Sequence, residues 1–92
     1  MPLPLTRLHL VVHGRVQGIG YRWFVHEKAS EFGLTGWVAN RRDGSVEIEA
    51  EGEGEALAEF AGILKTDHPY ARVDDIETKT LPVKNSASFE IR

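Results

Sequence analysis

The 92-residue chain has no cysteine, which removes disulfides, thiolate nucleophiles and cysteine-ligated metals together and leaves the fold to packing alone. A reducing compartment fits that composition. An excess of positive charge is also missing: 11 basic residues stand against 14 acidic ones, for a net charge of −3. A general nucleic-acid binder normally carries the opposite balance, because it must displace counterions from phosphates. Any positive site must therefore be local. No apolar run approaches the roughly 20 residues of a membrane span. The start, with Pro2 and Pro4, has neither the basic segment nor the long apolar segment of a secretory leader. Length limits the chain to one core. The expectation is one soluble, cytoplasmic, monomeric domain over 1–92, with no membrane or nucleic-acid partner.

The hydrophobic pattern is regular. Over 6–13, Leu8, Leu10 and Val12 alternate with Arg7, His9 and His13, which predicts a strand covered on one side. Over 21–32, Tyr21, Phe24, Val25, Ala29 and Phe32 recur at helical spacing, and Gly33 is a natural stop. A strand over 34–40, the turn Asn40-Arg41-Arg42-Asp43-Gly44 and an alternating strand over 45–51 read as a hairpin. Gly52-Glu53-Gly54 breaks it, and Leu57, Phe60, Ala61 and Leu64 give the stripe of a second helix ended by Asp67-His68-Pro69. A strand over 71–81 is predicted, with a bulge because the alternation slips after Asp75, and a short one over 88–92. The order β, α, β, β, α, β plus a terminal β predicts an α+β, ferredoxin-like sandwich: one antiparallel sheet with two helices on one face.

Between the first strand and the first helix runs Gly14-Arg15-Val16-Gln17-Gly18-Ile19-Gly20-Tyr21-Arg22. Glycines let several N–H groups turn inward, and the helix adds unpaired donors and the positive end of its dipole, the makings of an anion cradle. The alternative is an ordinary connection whose glycines serve turns only. Both common nucleotide signatures are absent: there is no Gly-Lys-Ser/Thr ending, and glycines at 14, 18 and 20 lack the dinucleotide spacing. Arg22 sits against the dipole in the first helical turn, so it calls for an anionic partner, either a ligand or a structural carboxylate. The predicted topology returns the second strand to the same sheet edge, placing Asn40 roughly 10 Å from the loop, two strand spacings away.

Other polar residues carry weaker signals. Arg41 and Arg42 read as solvated turn charges, and Glu47, Glu49 and Glu51 as a solvated sheet face that would repel RNA phosphates. His9 and His13 lie about 13 Å apart at strand rise, too far to share a metal. His26 reads as a partly exposed helix histidine, and Trp23 and Trp37 as core or rim aromatics.

The glycine run, followed by Gly36-Trp37-Val38-Ala39-Asn40 and Asp43-Gly44-Ser45-Val46-Glu47, closely resembles the acylphosphatase family, and the similarity extends over essentially the whole chain. Ile19 and Tyr21 stand where Val and Phe are common, and Ala39 where Arg is common. Asp67-His68-Pro69-Tyr70 stands where the family usually shows a Gly-Pro loop. The resemblance implies hydrolysis of small acyl phosphates to carboxylate and inorganic phosphate, with neither metal nor cofactor. It implies that Arg22 binds the phosphoryl group, that Asn40 positions the attacking water, and that Arg15, Val16, Gln17, Gly18, Ile19, Gly20 and Tyr21 form the substrate-binding loop. A phosphate-sensing or protein-interaction module on the same fold is the alternative.

Overall fold

The computed structural model describes residues 4–92, so Pro2 of the proline-bearing start lies outside the described residues. Five strands and two helices follow in the order β1 (Leu5–Arg15), α1 (Tyr21–Glu31), β2 (Thr35–Asn40), β3 (Val46–Glu53), α2 (Gly54–Thr66), β4 (Arg72–Leu81) and β5 (Phe89–Ile91). The spatial order is β4-β1-β3-β2-β5, the arrangement of a ferredoxin-like α+β fold. No helix among the described residues is long and apolar enough to cross a membrane.

Both helices form because their apolar side chains repeat at one-turn spacing, and each lays that stripe on the sheet. Tyr21, Val25 and Ala29 of α1 and Leu57, Phe60 and Leu64 of α2 are buried against Leu10, Val12, Val38, Val46, Ile48 and Ala50 of the strands. Each large apolar side chain enclosed this way stabilises the fold by about 1.5–3 kcal/mol relative to exposure. The bulge expected near Asp75 is present: His13 faces Asp75 but Gly14 faces Val73, which leaves Asp74 unmatched.

Four expectations change. The sheet is mixed, because β5 joins the edge of β2 in parallel, although the β4-β1-β3-β2 pairings are antiparallel. Strand β1 is not covered on one side only. Since β4 and β5 lie at opposite edges, the chain between them must cross the sheet, and it does so over the face that carries Arg7. Arg7 is only 2% exposed and donates to Glu49 (2.8 Å), Glu51 (3.2 Å) and Ser86 (3.2 Å).

The acidic ladder is consequently not a solvated face. Glu51 is buried and also accepts the Lys84 backbone N–H at 2.7 Å, while Glu47 meets His9 at 2.7 Å. Burial pushes the Glu49 and Glu51 carboxyls up, but hydrogen bonds from Arg7 and Lys84 outweigh it and hold both below the ordinary range. Among the described residues no buried side-chain polar atom lacks a partner. Lastly, Trp23 is not a core aromatic: it is 69% exposed.

Candidate active site

The first strand delivers the chain to residues 16–20, and α1 begins at Tyr21. Gly18 and Gly20 both adopt φ near +77°, a left-handed conformation that other residues rarely hold. Gly20 is the N-cap of α1, so no capping side chain occupies the helix end, and no acidic residue stands in the first turn. The first helical bond is donated by the Phe24 N–H to the Gly20 carbonyl oxygen at 3.1 Å. The N–H groups of Tyr21, Arg22 and Trp23 therefore precede the helical ladder and remain available, at the positive end of the helix dipole.

Asn40 arrives from the other side. It is the last residue of β2, paired with Val46 of β3, and β3 alone separates β2 from β1. A cavity of about 100 Å³ at this end of the sheet is lined by Val16, Gly18, Gly20, Tyr21, Arg22, Trp23 and Asn40. Of the loop residues singled out in the sequence, Arg15, Gln17 and Ile19 do not line it. Arg15 is exposed at the end of β1, opposite Arg72 of β4, and Ile19 packs against the core.

Gln17 has a different environment. Its side-chain amide donates to the Arg41 carbonyl oxygen at 2.7 Å and to the Ser45 carbonyl oxygen at 2.9 Å, which ties the loop to the hairpin that carries Asn40. The hairpin is braced further, with the Arg41 N–H donating to the Ser45 carbonyl oxygen at 2.9 Å. Asp43 accepts the Ser45 N–H at 2.9 Å together with its hydroxyl. Those Ser45 hydrogen bonds hold the Asp43 carboxyl below its ordinary value. Arg41 and Arg42 are exposed.

Arg22 makes no salt bridge with a side-chain carboxylate among the described residues. Its guanidinium instead donates to the backbone oxygen of Arg92 at 2.8 Å, beyond the end of β5, and its remaining donors stay uncommitted. Tyr21 closes the floor: its hydroxyl donates to the Leu64 carbonyl oxygen at 2.7 Å, and burial pushes its phenol well above the ordinary tyrosine value. His26 stands outside the cavity, edge-on to Trp23 and Phe89. The contacts of Gln17, Arg92 and Trp23 had no signal in the sequence, because each depends on a partner distant along the chain or on which way a helix face points.

The acylphosphatase family model matches residues 8–91. An acylphosphatase of Bacillus licheniformis is 45% identical over 80 residues, covering 84% of this chain and 89% of its own length. That of Bacillus subtilis is 46% identical over 88 residues, covering 95% and 97%. The crystal structure of acylphosphatase from Bacillus subtilis superposes with a TM-score of 0.91 at 40% identity, covering 97% of this chain and 99% of that one. Sequence and architecture agree along nearly the full length, and the chain belongs to the acylphosphatase family.

Proposed function

We propose that this protein hydrolyses small acyl phosphates, with the cavity at the start of α1 as its active site. The observation that carries the reading is the meeting there of Arg22, Asn40 and an uncapped helix N-terminus within one small cavity. Backbone N–H groups of residues 16–21 and the Arg22 guanidinium bind the phosphoryl oxygens. The Asn40 side-chain oxygen accepts a hydrogen bond from the attacking water and holds it in line with the departing carboxylate.

The chemistry suits so sparse a set of groups. An acyl phosphate is a mixed anhydride whose leaving carboxylate has a conjugate-acid pKa of about 4, like an Asp or Glu side chain. It departs without a general acid. Water attacks phosphorus, the bond from phosphorus to the acyl oxygen breaks, and the electron pair leaves with the carboxylate. What remains for the protein is positioning and stabilisation of charge on the phosphoryl oxygens in a loose transition state. An amide is a poor base, so the water proton passes to a phosphoryl oxygen of the substrate.

Purified protein treated with a chelator is expected to turn over benzoyl phosphate many times, releasing benzoate and phosphate in equal amounts. Stoichiometric binding without release would support the phosphate-sensing alternative and refute the enzymatic reading.

A further inference from the structure

A cavity of about 100 Å³ holds a phosphoryl group and a water but little more, so the acyl part of the substrate must project from its mouth. What it meets there is decided by the residues on the rim. Gly18 and Gly20 offer no side chain, Asn40 is polar, and Val16 and Tyr21 are buried. Trp23 is the exception. Of the large apolar side chains that stand exposed among the described residues, namely Leu5, Trp23, Tyr70 and Val83, only Trp23 lines the cavity.

The indole also faces outward. It borders an open depression of about 560 Å³ along the exposed side of α1, shared with His26, Glu27, Ser30 and Glu31. Its nearest aromatic neighbour is the His26 ring, edge-on at 5.9 Å between centroids. One side chain thus joins the phosphate cavity to the adjoining surface, and two carboxylates flank that surface.

On the reading of the cavity as an acyl phosphate site, we infer that Trp23 is the residue that selects the acyl group. The indole is a platform on which an uncharged, apolar acyl group, above all an aromatic one, lies once its phosphoryl group is seated. An aromatic ring gains by offset or edge contact with the indole as well as by leaving water. Glu27, one helical turn beyond Trp23, disfavours acyl groups that bear a carboxylate of their own by like-charge repulsion, while Glu31, two turns away, is paired with Lys28 at 3.2 Å. Since such a contact exists in both ground and transition states, it acts on KM rather than on kcat.

The test compares benzoyl phosphate with acetyl phosphate, which presents only a methyl group, on the wild type and on Trp23→Ala, Trp23→Phe and Tyr70→Ala. In Trp23→Ala the ratio of kcat/KM for benzoyl over acetyl phosphate is expected to fall about tenfold, through a raised KM for benzoyl phosphate. Trp23→Phe should retain most of the ratio. Tyr70→Ala removes an equally exposed aromatic that does not line the cavity and should leave the ratio unchanged. Equal loss on both substrates in Trp23→Ala, or no change in the ratio, overturns the inference while leaving the hydrolase reading intact. A wild type that turns over neither substrate refutes the hydrolase reading itself.

Discussion

Two places in this molecule concentrate polar and charged groups, and they treat them in opposite ways. On the sheet face away from the helices, Arg7 is enclosed with Glu49, Glu51 and Ser86, and no buried side-chain polar atom there lacks a partner. At the end of the sheet by α1, the helix N-terminus is uncapped, Arg22 holds one backbone oxygen, and Asn40 is exposed. A polar group fully satisfied within the protein contributes to stability and has nothing left for a ligand. A group held in place with its donors free is available to a substrate at little cost in reorganisation. Charge at these two places is therefore assigned to holding the fold together in one and to chemistry in the other, and mutations there should separate those roles.

The largest separation is expected at Arg22. Arg22→Ala removes the fixed planar charge from the cavity and should lower kcat/KM for an acyl phosphate by about 10⁴-fold, the scale on which a phosphoryl-binding arginine acts. The thermal midpoint should barely move, since the side chain gives up one surface hydrogen bond. Steady-state kinetics beside a melting curve checks both halves. A loss of stability comparable to the loss of activity would erase the contrast.

Arg7→Ala is expected to do the reverse. Removing one member of a buried ion cluster strands its partners, at a cost of about 4 kcal/mol, measurable as a lowered denaturation midpoint with turnover retained wherever the protein is folded. The wild type should show the same cluster in its acid response. The Glu49 and Glu51 carboxyls are held below their ordinary range, so their contribution is complete above the unfolded value of about 4.3. It is lost as pH falls through the lower native values. Acid unfolding that sets in well above pH 5 would place the sensitivity elsewhere.

Asn40→Ala should be milder than either. Its amide has only to orient water, so kcat is expected to fall about 10²-fold while inorganic phosphate inhibits as before. If phosphate inhibition weakened as well, Asn40 would belong to the cradle rather than opposite it.

How far each place could be read in the sequence follows from the same contrast. The site by α1 was legible because most of its parts are local, glycines 18 and 20 and the helix start at Tyr21, and because the strand order returns Asn40 to the same end of the sheet. The Arg7 cluster was not. A charged residue on the polar side of an alternating strand reads as solvated, and only the crossing chain between β4 and β5 encloses it. That crossing follows from the placement of β5, and Phe89 and Ile91 alternate in a way that suits any edge. Arg92 reached Arg22 by the same unreadable route.

Gln17 sits between the two modes, and its variants give the finest test. Its amide nitrogen donates to the Arg41 and Ser45 carbonyl oxygens at 2.7 and 2.9 Å, yet what it ties together is the loop and the hairpin stem next to Asn40. Gln17→Ala should therefore cost about tenfold in kcat, or about 1.4 kcal/mol, by letting the hairpin drift from the loop, while inhibition by inorganic phosphate shifts less than threefold. Gln17→Glu sharpens the point. It keeps the shape but replaces the amide nitrogen, which makes both donations, with a carboxylate oxygen that faces two carbonyls, so it should be worse than alanine if the amide acts by holding the hairpin. Variants with wild-type kcat would make the two hydrogen bonds incidental to turnover. Phosphate inhibition that weakens in step with kcat would mean that Gln17 shapes the cradle itself, and the division between holding and reacting would then run through the loop instead of around it.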